Sequence, residues 1–248
     1  MAARIEIASE AGACYGVERA LRMVEDAAKT STVPVHTLGP LIHNPRVVDD
    51  LAAKGVTVVA SPEDSAGDTL LLRTHGVTPE EERRARELCH DVLDATCPFV
   101  KKVHLAASRL YREGYQVVVV GEAGHPEVEA TLPHAPGAVV VGDVSKAEEL
   151  PFCKKVGVVV QTTQSRSNLQ HVVSALLDRA EEVRVINTIC DATSGHQGAC
   201  AELAARADVM IVIGGRISAN TKRLAEIAAE LCPRTYHIEG ADELDPSW

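Results

Sequence analysis

The stretch Asp91–Leu110, DVLDATCPFVKKVHLAASRL, decides the fold. It reads as a short apolar strand, a polar turn carrying a cysteine, and a helix whose apolar residues recur three and four apart. The same order of parts stands in RIEIASEAGACYGVERAL (4–21) and in RVINTICDATSGHQGACAELAARA (184–207), so Cys14, Cys97 and Cys190 occupy equivalent places. After each helix the chain runs into a second strand and a polar loop that opens another helix: VHTLGPLIHNPRVVDDL (35–51), QVVVVGEAGHPEVEATL (116–132) and VMIVIGGRISANTKRLAEI (209–227). A third strand with an acidic segment follows, in VVASPEDSAGD (58–68), VVVGDVSKAEEL (139–150) and YHIEGADELDPSW (236–248). A fourth strand ending in a polar loop closes two of the copies, LLLRTHGV (70–77) and VGVVVQTTQS (156–165).

Strands alternating with helices throughout predict an α/β protein with small, mostly parallel sheets. The runs at 56–60, 69–72, 117–120, 138–141, 156–160 and 209–213 are too short for helices and read as strands buried on both faces. Helices are expected at Val17–Ala28, Pro79–Leu88, Val100–Arg112, Asn168–Ala180 and Thr221–Leu231. A chain of 248 residues has the size of two ordinary domains, but the repeat divides it into three lobes: 1–90, 91–182 and 183–248, the third lacking its last strand and loop. Ligands of open α/β sheets bind outside the carboxyl ends of the strands, where every polar loop quoted above lies. Arranged with pseudo-threefold symmetry, the three lobes bring those loops to one centre.

Composition narrows the chemistry. With 46% hydrophobic and 24% charged residues the chain has cores to bury, which excludes disorder. A net charge of -10 argues against a broad nucleic-acid footprint, and 3% aromatic residues disfavours base-stacking platforms. No run approaches the roughly 18–20 apolar residues of a membrane span, and MAARIEIAS lacks the parts of a signal peptide, so a cytoplasmic protein without membrane association is expected. The 7 cysteines include no CxxC pair. A disulfide framework is a poor reading in that setting; buried thiols, or a metal site assembled from distant residues, are better ones.

One cysteine from each lobe forms a trigonal set of soft donors, suited to zinc or to a 4Fe-4S cluster with one iron left open. Cys89, Cys153, Cys200 and Cys232 hold no equivalent place and read as small buried hydrophobes. His43, His75 and His125 all lie in strand-end loops, where charged imidazoles donate N–H bonds to an anion such as diphosphate; singly, each is an ordinary solvated loop residue. Ser218-Ala219-Asn220-Thr221 stands at a helix start, suited to a phosphate and equally to a simple N-cap. Glu127 is the carboxylate two residues after His125 in GHPEVEA. Burial near the cysteines makes it a proton donor with a raised pKa, while at a surface it is only a first-turn glutamate. Thr162 is either a proton relay between Glu127 and a substrate oxygen or a helix cap. The remaining histidines carry no separable signal.

Taken together, ACYGVERAL, LIHNPRVVDDL, RTHGV, DATCPFVKKVH, GEAGHPEVEAT, QTTQS, TICDAT and SANTKRLAE resemble the 4-hydroxy-3-methylbut-2-enyl diphosphate reductase family, in order along essentially the whole chain. The resemblance implies a trefoil of three α/β lobes around a 4Fe-4S cluster held by Cys14, Cys97 and Cys190. It implies a diphosphate held by His43, His75, His125, Ser218 and Asn220, with proton delivery by Glu127 assisted by Thr162. The implied reaction is reductive dehydroxylation of the allylic diphosphate to isopentenyl and dimethylallyl diphosphate in the methylerythritol phosphate route. There the open iron acts as Lewis acid and electron source, and a ferredoxin or flavodoxin supplies the electrons. Two departures stand out: Ala219 replaces a second serine, and the family's last strand and phosphate-binding serine loop are expected beyond Trp248. Two other functions share these residues, a non-catalytic diphosphate-binding protein of the same family and a three-cysteine zinc hydrolase.

Overall fold

The computed structural model describes residues 4–248; Met1–Ala3, which open the N-terminal stretch read above, lie outside the described residues. The first lobe runs through α1 (Tyr15–Thr30), β1 (Val35–Leu38), α2 (Pro45–Ala53), β2 (Val56–Val59), β3 (Thr69–Leu72), α3 (Pro79–Leu88) and β4 (Asp91–Asp94). Its strands lie in the order β2-β1-β3-β4, every pair parallel. Parallel neighbours need crossover connections, and helices supply them. Pro45 and Pro79 begin α2 and α3, where the missing N–H of proline costs nothing. Asn44 caps α2 by accepting from the Arg46 amide, and Thr78 with Glu81 forms a capping box on α3.

The second lobe repeats the plan with α4 (Pro98–Arg112), β5 (Gln116–Val120), α5 (Pro126–Thr131), β6 (Val139–Val141), α6 (Val144–Glu148), β7 (Cys153–Val160), α7 (Arg166–Leu177) and β8 (Ala180–Val185). The order β6-β5-β7-β8 is that of the first sheet, again all parallel. In β5 successive side chains take opposite faces. Val117 and Val119 pack with Val103, Ala107 and Leu110 of α4, while Val118 and Val120 pack with Leu169, Val172 and Leu176 of α7. A continuous valine run follows from having helices on both sides. Leu110 of α4 is fully buried, packed against Gly157 of β7. Leu110→Ala is expected to lower unfolding stability by about 2–5 kcal/mol, read from the shift of a urea transition.

The third lobe consists of α8 (Asp191–Ala204), β9 (Met210–Ile213), α9 (Ala219–Leu231) and β10 (Thr235–Ile238), with β10 parallel to β9. Met210 and Val212 are buried with Ala204, Ala228 and Cys232, but Ile211 is 40% and Ile213 67% exposed. The run 209–213 is therefore buried on one face only, against the expectation. In the other two lobes α3 and α7 cover the second face; among the described residues no helix does so here.

Strand allegiance also differs from the reading of the sequence. β4, ahead of Cys97, pairs with β3 and completes the first sheet; β8, ahead of Cys190, pairs with β7 and completes the second. Boundaries after 90 and 182 thus cut β4 from its sheet and divide β8, and the sheets themselves change over at the cysteine loops. The segment 4–8 is not a strand; Ile5 and Ile7 stand 90% and 78% exposed, and Glu6 is tied to Arg206 at the end of the third lobe's α8. A parallel strand can pair on either side of the helix that follows it. The spare edges of β3 and β7 took these two.

Candidate active site

Each of the three cysteines occupies the same structural position. Cys14, Cys97 and Cys190 are the N-cap residues of α1, α4 and α8, so three helix N-termini, with their free amides and positive dipole ends, are aimed at the sulfurs. Gly16 shows how closely they gather: a methyl group there would lie 2.6 Å from the Cys97 sulfur and 3.9 Å from that of Cys14. The Cys190 sulfur accepts the Thr193 amide at 3.3 Å and touches the Thr193 hydroxyl at 3.0 Å. Burial pushes the Cys97 thiol up, opposed by the amides of Phe99 and Val100 and reinforced by the sulfurs of Cys14 and Cys190. All three are free thiols and only partly buried. Three gathered sulfurs at helix N-termini, with no cation beside them, fit a thiophilic metal centre, which would supply the missing positive charge. Cys200 and Cys232, as expected, are buried in the third lobe's core.

Two backbone bonds fix this arrangement to the sheets. The Cys97 amide donates to the Thr74 carbonyl at 2.9 Å, and the Cys190 amide donates to the Thr162 carbonyl at 3.2 Å. Thr74 and Thr162 stand two residues past β3 and β7, the same place in two lobes. Their hydroxyls part company: that of Thr74 donates to the Leu41 carbonyl at 2.8 Å, that of Thr162 to the Glu127 carboxylate at 2.8 Å. Thr162 also donates its amide to Glu127 at 2.6 Å. One residue therefore ties the acid to the cysteine loop. It is not the cap of α7, a role that Ser165 fills by accepting from the Asn168 amide.

Glu127 is 2% exposed. Burial raises its pKa to about 7, against the lowering by the Thr162 amide and hydroxyl. Near neutrality it is thus poised between acid and base, the condition general acid–base catalysis favours. Its own amide donates to Nδ1 of His125 at 3.2 Å, which leaves Nε2 of His125 as the protonated nitrogen.

The three expected histidines meet although His125 comes from a different lobe than His43 and His75. His43 stacks on His75 with centroids 4.1 Å apart, and His125 stands edge-on to both, at 5.3 Å and 5.5 Å. Their surroundings work against the charged state that the sequence reading expects. Burial, then Arg73 and Lys222, lower His43; burial, then His43, His125 and Arg73, hold His75 well down; burial, then His43 and Lys222, take His125 to about 4. The ring nitrogens lie within 4.8 Å of one another, a spacing that invites a metal ion. The nearby Arg73 and Lys222 repel a cation and attract an anion, so the charge decides for an anion. Sequence reasoning missed both of these residues. Arg73 precedes the quoted Thr74-His75, and Lys222 follows the quoted Thr221, one helical turn beyond Ser218.

Ser218 is the N-cap of α9 and accepts the Thr221 amide at 3.3 Å, so the cap reading holds for its side chain. Asn220 keeps a buried Oδ1 without a partner, as does His75 at Nδ1. Unmatched buried polar atoms are costly in a finished structure and mark places where a ligand completes the bonding. The third lobe approaches the histidines directly: a methyl group on Gly215 would come within 2.1 Å of the His43 carbonyl oxygen. Arg46 of α2 and Asp242 form an ion pair across the same junction.

Three parallel-sheet lobes closing on a thiol-lined centre, with a buried acid and an imidazole cluster beside it, define the class: an α/β protein with a soft-donor site at the meeting point of its lobes. The sequence model of the LYTB family, described as LytB protein, matches residues 5–248. The chain belongs to the LytB family. It is 51% identical over 245 residues to a 4-hydroxy-3-methylbut-2-enyl diphosphate reductase of Geobacter sulfurreducens, covering 98% of this chain and 86% of that relative. Among solved structures it is similar to an (E)-4-hydroxy-3-methyl-but-2-enyl diphosphate reductase described as the terminal enzyme of the non-mevalonate pathway, with 46% identity, a TM-score of 0.75, and coverage of 98% and 88%. A second, the E-1-hydroxy-2-methyl-but-2-enyl-4-diphosphate reductase from Plasmodium falciparum, matches at 29% identity and a TM-score of 0.90, covering 95% of this chain and 76% of that one. Among the described residues no helix is long and apolar enough to cross a membrane.

Proposed function

We propose that the chain is a 4-hydroxy-3-methylbut-2-enyl diphosphate reductase, removing the allylic hydroxyl as water and giving isopentenyl and dimethylallyl diphosphate. The balance is two electrons and two protons taken up for one C–O bond broken, one water released and one C–H bond formed. The observation that carries this reading is Glu127, sealed from solvent, bonded through Thr162 to the Cys190 loop and through its amide to His125. A simple diphosphate binder has no use for a buried acid in that position.

Cys14, Cys97 and Cys190 would hold the cofactor, a 4Fe-4S cluster, which when bound would supply the electrons and a Lewis-acidic iron. His43, His75 and His125 take the diphosphate together with Ser218 and Asn220, each neutral imidazole donating one N–H. Glu127 gives its proton to the departing hydroxyl. Thr162 holds the carboxyl group in place and relays the proton toward the substrate oxygen. Burial keeps competing water from the acid. Electrons arrive from a ferredoxin or flavodoxin, and the free thiols suit a reducing compartment such as the cytoplasm.

The test is anaerobic reconstitution, analysis for iron and acid-labile sulfide, and turnover of the hydroxylated allylic diphosphate with a chemical reductant. About four iron and four sulfide per chain, with both five-carbon diphosphates formed, is the expected result. Bound zinc in place of a cluster, with hydrolysis as the activity, rejects the reading. So does a loaded cluster with diphosphate binding and no reduction.

A further inference from the structure

Diphosphate carries several negative charges near neutral pH, and the residues assigned to it above are poor sources of the opposite sign. Burial and neighbouring cations work against protonation of the three imidazoles, and Ser218 and Asn220 are uncharged. A dry, partly buried anion without a counter-cation is unfavourable, and neutral N–H donors alone offset its desolvation poorly.

Two cations stand close enough to act on the imidazoles. Arg73 is already engaged: its Nε donates to the Gly76 carbonyl at 3.1 Å, and one terminal nitrogen lies 3.4 Å from the Leu38 carbonyl. Its guanidinium serves as a brace for the loop that carries His75. Lys222 is placed differently. It lies one turn into α9, its amide bonded to the Ser218 carbonyl at 3.0 Å, so its side chain rises from the face that carries the Ser218 hydroxyl. It is exposed, and while its neighbour Arg223 pairs with Glu226, no carboxylate pairs with Lys222 among the described residues. The close approach of Gly215 to the His43 backbone presses this end of α9 against the histidine loop. That proximity agrees with the lowering that the Lys222 charge exerts on both His43 and His125.

We infer that Lys222 is the counter-cation of the bound diphosphate, its ammonium closing over the anion from the first turn of α9, opposite His43 and His125. The inference rests on the proposed function and adds a binding residue to it. A lysine suits the task as a flexible point charge on a long stem, able to follow the anion as it settles onto the fixed imidazoles.

Cluster-loaded protein is titrated with inorganic diphosphate by calorimetry at two ionic strengths, and KM and kcat are measured for the allylic substrate. Lys222→Ala and Lys222→Gln are expected to weaken diphosphate binding and raise KM by roughly tenfold or more, the worth of one charge-assisted contact. The loss falls on KM rather than kcat, the cluster's absorption spectrum is kept, and Lys222→Arg restores most of the affinity. Wild-type affinity declines with salt more steeply than that of the Ala variant. Diphosphate affinity in Lys222→Ala within twofold of wild type overturns the inference and leaves the proposed function standing. Wild-type protein that takes up no diphosphate overturns both.

Discussion

Glu127→Gln is expected to lower kcat by about 10²–10⁴-fold, the usual contribution of a positioned general acid. The substitution is nearly isosteric and keeps the local bonding: Oε1 of glutamine still accepts the Thr162 amide, and its NH₂ donates to the Thr162 hydroxyl, which turns to accept. Cluster content and diphosphate affinity therefore hold while proton delivery stops. The pH profile separates the chemical role from a structural one. With a pKa of about 7, Glu127 is protonated below neutrality and ionised above it, so the wild-type rate declines as pH rises through about 7. The residual rate of Glu127→Gln lacks that limb. Thr162→Val tests the same unit from the other side: it removes the hydroxyl that reaches the carboxylate at 2.8 Å while keeping the amide bond at 2.6 Å. An unchanged pH profile in both variants removes Glu127 from the proton path.

Cys97→Ser has the second large effect, loss of most bound iron and sulfide after anaerobic reconstitution and of reductive turnover with it. A serine hydroxyl stays protonated and is a hard donor, so it replaces a thiolate poorly toward iron. Cys14→Ser and Cys190→Ser are expected to behave alike, since all three sulfurs stand on helix N-caps around one centre. Cys200→Ser and Cys232→Ser provide the contrast. Their thiols face the Leu224 and Ala207 carbonyls inside the third lobe, so these variants keep their iron and alter stability alone. Full cluster content in Cys97→Ser, or loss of iron in Cys200→Ser, overturns the ligand assignment.

Much of the site was legible because the chain repeats itself. Cys14, Cys97 and Cys190 are recognisable from recurrence of strand, loop, cysteine and helix, and the structure brings all three to a single centre. His43, His75 and His125 follow from the rule that polar loops at strand ends converge, which the ring distances confirm as geometry. The charge state of those rings was not legible. It depends on burial and on Arg73 and Lys222, and Lys222 arrives from a different lobe, 97 residues beyond His125 and further still from His43 and His75. The double reading of Thr162 was likewise undecidable until Ser165 was seen capping α7 and the Thr162 hydroxyl was seen on Glu127.

The sequence by itself determined the elements and their kind: valine and leucine runs too short for helices, prolines and Asn, Ser or Thr caps that start the helices, and polar residues gathered at strand ends. These depend on interactions among near neighbours in the chain. Tertiary structure alone decided which sheet owned β4 and β8, why β9 is covered on one side, and that Glu127 is held by Thr162 and sealed at 2% exposure. Strand pairing, desolvation and the fields of distant charges depend on what lies across the fold, and no local pattern of residues encodes that.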